Sequence, residues 1–223
     1  MGRKGVERLT TYEIFISLIK VGLKVTLQVT FLAAILALVL GFISGLARMS
    51  KYKIVRFISG VYLEIFRGTS LLVQLFWIYF ALPMMGIRLS ALTAGVLAIG
   101  LNYGAYCSEV VRSAIQNVPV GQTEACIALN MTKTQRMVKV IIPQAFVMML
   151  PNLGNQLIEL LKSTSLVSMI TLTDLTYQAN ILNATTFETT KVYTMLLVIY
   201  FIIGMPLSKG MKLLEAKVSE GRV

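Results

Sequence analysis

Residues 121–145 read GQTEACIALNMTKTQRMVKVIIPQA, a segment full of helix chemistry in the middle of a chain that is 56% hydrophobic. Its punctuation decides the fold. Gly121 ends the preceding structure, and residues 122–129 can form two helical turns with Glu124 in the first, where the helix dipole favours an acid. Asn130 stands just past the last helical residue; after glycine, asparagine best tolerates the left-handed conformation that closes a helix. Thr132, with Gln135 three residues on, has the form of a capping box. A second helix starts there and stops near Ile142, ahead of Pro143. The polar segment of about 119–143 is thus helix, sharp turn, helix, a shape for docking rather than for crossing lipid.

Its surroundings belong in a membrane. Only 14% of the 223 residues are charged, against about 25% in soluble domains. Apolar runs approach or reach the roughly 20 residues that a crossing helix needs. Five spans fit, at about 14–47, 55–85, 89–117, 146–170 and 191–214, so the expected fold is an all-α polytopic membrane protein forming a single domain over 1–223. The first run is too long for a signal peptide and lacks a small-x-small cleavage site, and is read as a retained span. Within it Gly41 and Gly45 have the GxxxG spacing that lets helix backbones approach closely.

Basic residues set the orientation. Arg48, Lys51, Lys53 and Arg56 follow span one; Arg112, Lys133, Arg136 and Lys139 lie around the 119–143 segment; Lys209, Lys212, Lys217 and Arg222 end the chain. The other two loops hold Arg88 and Lys191 alone. The positive-inside rule then gives N-out, C-in, with the 119–143 segment cytoplasmic between helices 3 and 4. Arg3, Lys4, Arg8, Lys20 and Lys24 argue the other way and are outweighed. The net charge of +11 is mostly this bias. Nucleic-acid or anionic-lipid binding would give a similar total, and no nucleic-acid partner is expected.

Several chemistries are disfavoured. There is no histidine, hence no histidine acid–base pair or histidine-ligated metal. Cys107 falls in a span and Cys126 in the 119–143 segment, so no disulfide is expected. Without clustered Asp, the chain offers no catalytic residues and no metal site, and an enzyme is disfavoured. No internal repeat or broken midplane helix of the kind found in secondary transporters is legible.

Polar groups inside spans need a reason, because a mid-bilayer charge costs about 2.5–3.5 kcal/mol on insertion scales. Arg67, Ser70, Gln74 and Trp77 share one face of span two, and Asn102, Tyr106, Glu109 and Ser113 one face of span three. Asn155, Glu159 and Lys162, with Ser163 beside them, mark span four. Three such faces can meet around a hydrated substrate path. The competing reading is structural: Glu64 with Arg67, Glu109 with Arg112 and Glu159 with Lys162 can pair, and Trp77 can pack rather than stack on a cationic group.

Glu124-Ala125-Cys126, Asn130 six positions after the Glu, and Val140-x-Ile142-Pro143 resemble the EAA loop of ABC importer permeases. Glu64-Ile-Phe-Arg67-Gly-Thr-Ser-Leu-Leu-Val-Gln74, Tyr106-x-x-Glu109-x-x-Arg112, Val118-Pro-x-Gly121-Gln122-x-Glu124-Ala125 and Leu161-Lys162-Ser-Thr-Ser-Leu are similar to the polar amino-acid (His/Glu/Gln/Arg/opine) permease family over nearly the whole chain. Cys126 replaces the usual second Ala, Asn130 the usual Gly, Ser70 a Pro and Ser163 an acid. With Ala128-Leu129-Asn130 and Thr171-Leu-Thr-Asp174-Leu-Thr-Tyr-Gln178, the pattern most resembles the ectoine/hydroxyectoine uptake branch.

The resemblance implies a multi-pass permease subunit of a bacterial cytoplasmic membrane, working by alternating access. Its implied partners are a cytoplasmic ATPase dimer, which holds the ATP-Mg, an extracytoplasmic substrate-binding protein, a second permease, identical or homologous, and membrane lipid. The chain itself is expected to bind no cofactor. The implied coupling residues are Gly121, Gln122, Glu124, Ala125, Cys126, Ala128, Leu129, Asn130 and Thr132. The expected substrate is ectoine or hydroxyectoine, and the alternative is a polar amino acid such as glutamine, glutamate, histidine or arginine. A carboxylate at position 163 would suit a cationic amino acid; Ser163 leans toward a net-neutral zwitterion.

Overall fold

The computed structural model describes residues 11–220. Arg3, Lys4, Arg8 and Arg222 of the charge argument lie outside the described residues. Regular structure among the described residues is entirely helical. Helix α1 (Thr11–Leu18) passes through a π turn (Ile19–Leu23) into α2 (Lys24–Ala47), making span one a continuous run of 36 residues, Tyr12–Ala47. Its partner is α5 (Ala91–Gln116). A Cβ on Gly41 would lie 2.6 Å from Cys107 Cβ, and one on Gly45 2.8 Å from the Ser108 carbonyl oxygen. The two glycines therefore do what their spacing predicts, letting the backbones of α2 and α5 come together. Ala33, Ala37, Ala94 and Ala98 line the same buried seam.

The second span departs from the expectation. Residues 55–85 are not one helix: α3 (Lys53–Gly68) and α4 (Leu71–Phe76), the latter extended by a π turn (Trp77–Ala81) and a 3-10 turn (Leu82–Met85), are bent by 104° at the break. Thr69 (φ −119, ψ 156) and Ser70 (φ −69, ψ 133) are extended there. Side chains hold the break open by taking carbonyls that the next helical turn would have used. Thr69 Oγ1 donates to the Ile65 carbonyl at 2.7 Å, while Gln74 Nε2 and Asn102 Nδ2 donate to the Phe66 carbonyl at 2.9 and 2.7 Å. A broken helix, which the sequence did not reveal, is thus a feature of this fold.

A second departure concerns Pro143. The helix that begins at Lys133 does not stop: α7 (Lys133–Arg136) runs through a π turn (Met137–Ile141) into α8 (Ile142–Ser163) and a 3-10 turn (Thr164–Ile170), a run of 38 residues. The wider π turn falls just before Pro143, which sits in the first turn of α8; there a missing N–H and a bulky ring are tolerated. The end of the 119–143 segment is therefore joined directly to the helix expected as span four. Helix α9 (Leu175–Thr186) was not anticipated, and α10 (Thr189–Glu220) closes the described chain. Asp174 caps α9 by accepting from the Thr176 and Tyr177 amides at 3.1 and 2.9 Å.

By length and composition three helical runs can cross a membrane, or four if the bent pair counts as one. Helix α5, expected as span three, is long enough at 26 residues, but its Gly, Asn and Tyr residues lower its hydropathy.

Candidate substrate cavity and coupling segment

A cavity of about 410 Å³ opens at the break between α3 and α4. Ser70 lines it from the break, Asn102 and Tyr106 from α5, and Gln156, Glu159 and Ser163 from α8. Five residues expected on the substrate path, Ser70, Asn102, Tyr106, Glu159 and Ser163, thus converge from three elements. Three of them, Asn102, Ser163 and Tyr106, are held by neighbouring groups. Asn102, buried, is pinned by its bonds to the Phe66 carbonyl and to Gln74 Oε1, the latter at 3.1 Å. Ser163 Oγ shares a hydrogen bond of 2.6 Å with the Tyr103 hydroxyl. The Arg67 guanidinium lies 5.2 Å from the centroid of the Tyr106 ring, within cation–π reach. Glu159 is exposed and forms no ion pair among the described residues; the pairings anticipated with Lys162, and of Glu64 with Arg67, are absent there.

The other expected residues lie elsewhere. Gln74 is buried and braces the break, donating also to Thr69 Oγ1 at 2.7 Å. Trp77 is 52% exposed and does not line the cavity. The bend explains both positions, since it resets the helical phase between Arg67 and the residues after Ser70. Glu109 bonds to Arg48 and Arg112, tying α5 to the end of α2. Asn155 is exposed on α8 away from the cavity, and Lys162 points into a groove against Leu197 and Tyr200 of α10.

Tyr103 and Gln156 escaped the sequence reading. Gln156 Oε1 is buried without a hydrogen-bond partner. Its signal is a polar residue three positions before Glu159, a spacing that competes with that of its neighbour Asn155, four positions before. Tyr103 could not be found this way, because its partner Ser163 is 60 residues distant.

The coupling segment follows its punctuation closely. Helix α6 spans Val120–Ala128, and Asn130 is left-handed at φ 54. The Asn130 amide donates to the Ile127 carbonyl at 2.9 Å and the Met131 amide to that of Cys126 at 3.0 Å, which together make a Schellman cap. Both bonds of the Thr132–Gln135 capping box are present. Two details differ. The helix starts at Val120, behind Pro119, so Gly121 lies within its first turn instead of ending the previous element, and Glu124 falls in the second. The fixed φ of Pro119, −52, presets the chain to enter the helix one residue earlier than the glycine suggests.

Cys126 is buried, consistent with a small packing residue, while Glu124, Ala125 and Ala128 are exposed. Ile127 and Leu129 are 56% and 75% exposed. Gln144 Nε2 donates to Gln122 Oε1 at 3.2 Å, linking α6 to α8. Among the described residues no group of three side chains could hold a metal.

These features sit alongside a consistent set of likenesses. The chain is 51% identical to "Probable amino-acid ABC transporter permease protein y4tF" of Sinorhizobium fredii, across 80% of this chain and 77% of that one. It is 40% identical to the L-cystine transport system permease protein TcyB of Bacillus subtilis, across 79% and 76%. A crystal structure of an amino acid ABC transporter with histidines superposes with a TM-score of 0.88 at 38% identity, covering 96% of this chain and 99% of that chain. The inward-facing MetNI methionine ABC transporter shares the fold, with a TM-score of 0.74 at 19% identity over 89% and 94% of the two chains. The model of the binding-protein-dependent transport system inner membrane component matches residues 15–220, and the chain belongs to that family, the permeases of ABC transporters.

Proposed function

We propose that this chain is the permease subunit of an ATP-driven, binding-protein-dependent importer of a polar amino acid. The observation that carries the reading is the joint placement of two features on one helical run. Residues 133–170 begin at the capped coupling turn and end beside Glu159 and Ser163 in the polar cavity. A displacement of α6 by a cytoplasmic ATPase dimer is transmitted along this run to the groups facing the substrate. ATP on the ATPase and solute in the cavity then bias the same two-state element, which is what alternating access requires. The exposed face of α6 that carries Val120, Glu124 and Ile127 one turn apart, with Leu129 at the cap beyond it, is the surface that the ATPase covers.

The full assembly contains a second permease, an extracytoplasmic binding protein and the ATPase dimer, in a bacterial cytoplasmic membrane. The chain crosses with five spans, N-out and C-in: the run of α1 and α2, the bent α3–α4 pair, α5, the α7–α8 run, and α10. The broken helix then places extended backbone where it lines a polar cavity, the setting in which such backbone is tolerated at membrane depth.

Within the cavity, Glu159 receives the substrate ammonium and the polar groups of Asn102, Tyr106 and Gln156 bind its remaining atoms. An amino acid is favoured over ectoine by the company the chain keeps: its relatives are named for amino acids, L-cystine and glutamine among them. The Ser163 hydroxyl, which suggested a neutral zwitterion, is shared with Tyr103. Glu159→Gln tests the assignment. Loss of one charge-assisted hydrogen bond, about 1.5–3 kcal/mol, raises the KM for substrate-stimulated ATP hydrolysis roughly tenfold to a hundredfold. An unchanged KM in an intact complex would remove Glu159 from the substrate site. Ser163→Asp adds a second carboxylate one turn away and shifts preference toward cationic amino acids; an unchanged ranking would mean that position 163 does not read charge.

A further inference from the structure

Behind the polar cavity, across a wall made by Tyr103 and Gln156, lies a second chamber of about 200 Å³ between α2, α5, α8 and α10. Apart from those two side chains its lining is apolar. We propose that this chamber takes one acyl chain of a membrane lipid, which enters between Leu38 of α2 and Phe146 of α8.

The mouth faces the right medium. Leu38 and Phe146 are each 41% exposed. Leu38 belongs to a long face of α2 on which Phe31, Ile35, Val39 and Ile43 are also exposed, while the polar side chains along the same stretch, Thr30 and Ser44, are buried. An unbroken apolar face on a helix of membrane-crossing length is a hydrocarbon-facing surface. Helix α8 makes the same point by contrast. Its Phe146, Leu150, Leu153 and Leu157 line the chamber, and its opposite side carries Asn152, Asn155, Glu159 and Lys162, all exposed. The chamber therefore opens away from the polar side on which a hydrated path or a second permease would lie.

The interior suits the same occupant. A cavity of this size lined by Leu, Phe and Ala side chains holds water poorly, because a water needs two to four polar partners. The Tyr103 hydroxyl is already engaged by Ser163, leaving the Gln156 amide as the main polar group in the wall. A slender, unbranched hydrocarbon chain restores the dispersion contacts that an empty space forfeits, and it is the solvent at the mouth.

The test uses the assembled transporter in nanodiscs containing a phospholipid with a mid-chain diazirine. Photolabelling is expected on residues 146–157, and filling the chamber with Ala34→Leu or Leu157→Phe lowers it there roughly tenfold, as a filled volume excludes its ligand. Labelling of Val39 and Ile43, exposed on the outer face of α2, stays at the parent level in both variants, and retained substrate-stimulated ATP hydrolysis certifies their fold. Absence of label on 146–157 in the parent would assign the mouth to another occupant, such as a side chain of the second permease, and overturn the proposal. Equal labelling in both filled variants would overturn it as well, since the lipid would then be touching the surface and not the chamber.

Discussion

Replacing Gln74 with Leu conserves volume and removes one amide from the centre of the helix break. In the parent, Gln74 Nε2 donates to the Phe66 carbonyl at 2.9 Å and to Thr69 Oγ1 at 2.7 Å, and its Oε1 accepts from Asn102 Nδ2 at 3.1 Å. After the change the Phe66 carbonyl keeps Asn102 as a donor and the Thr69 hydroxyl keeps the Ile65 carbonyl as an acceptor. The Thr69 carbonyl, 3.3 Å from Gln74 Nε2, and one Asn102 N–H lose their Gln74 partner. Three lost bonds at about 1 kcal/mol each, offset in part where Phe66 and Thr69 keep other partners, plus the penalty for the buried Asn102 N–H left unpaired, come to about 2–4 kcal/mol of destabilisation. Equilibrium unfolding in mixed micelles measures it, and a double-mutant cycle with Asn102→Leu should give a coupling of about 0.5–3 kcal/mol. Gln74→Leu within about 0.5 kcal/mol of the parent, or strict additivity with Asn102→Leu, would refute the view that these two amides hold the break open.

Asn130→Gly should leave stability and ATPase coupling unchanged, whereas Asn130→Val forces a β-branched residue to φ 54 and should cost about 1–2 kcal/mol; protease susceptibility of residues 119–143 together with the transport-to-hydrolysis ratio distinguishes the two. Ser70→Pro should be neutral or stabilising by about 0.4–1 kcal/mol, because Ser70 already has φ −69 and Thr69 before it is extended; a large loss in an unfolding titration would show that the break needs the serine amide. Burial pushes the Asp174 carboxyl up to about 6 from its ordinary value of 3.8. The folded chain therefore holds more protons than the unfolded chain between those values, so stability falls as pH rises through that window and is gained on acidification from pH 7 toward 5. Asp174→Asn should abolish this slope in the pH dependence of unfolding.

The parts of the fold that were legible in the sequence are those fixed by local chemistry. Asn130 and the Thr132–Gln135 pair specify their turn within six residues, and Gly41 with Gly45 specify a close helix contact whatever the partner. The unread parts depend on contacts distant in sequence. Nothing near residue 69 announces a bend, since the amide that stabilises it from outside, Asn102, lies 36 residues beyond its acceptor Phe66. A stripe counted through that bend, from Arg67 to Trp77, consequently groups residues that the fold separates. Pro143 misled for a related reason: a proline stops an ideal α-helix, and the π turn over Met137–Ile141 absorbs it. Of the cavity residues, those on uninterrupted helix, Asn102, Tyr106, Glu159 and Ser163, are readable from spacing; Tyr103, one position after Asn102, is not, because its partner Ser163 lies 60 residues away.

In the function proposed, the polar cavity selects an amino acid and signals it to a cytoplasmic ATPase through the run from residue 133 to 170. Its most direct test is substrate-stimulated ATP hydrolysis by the complex of this chain with its ATPase and binding protein in liposomes, comparing glutamine, histidine, arginine, cystine, ectoine and hydroxyectoine. Stimulation is expected by one of the amino acids, with its KM raised in Glu159→Gln and its coupling lost in Asn130→Val. Stimulation confined to the ectoines, or stimulation by an amino acid that neither variant alters, would contradict it.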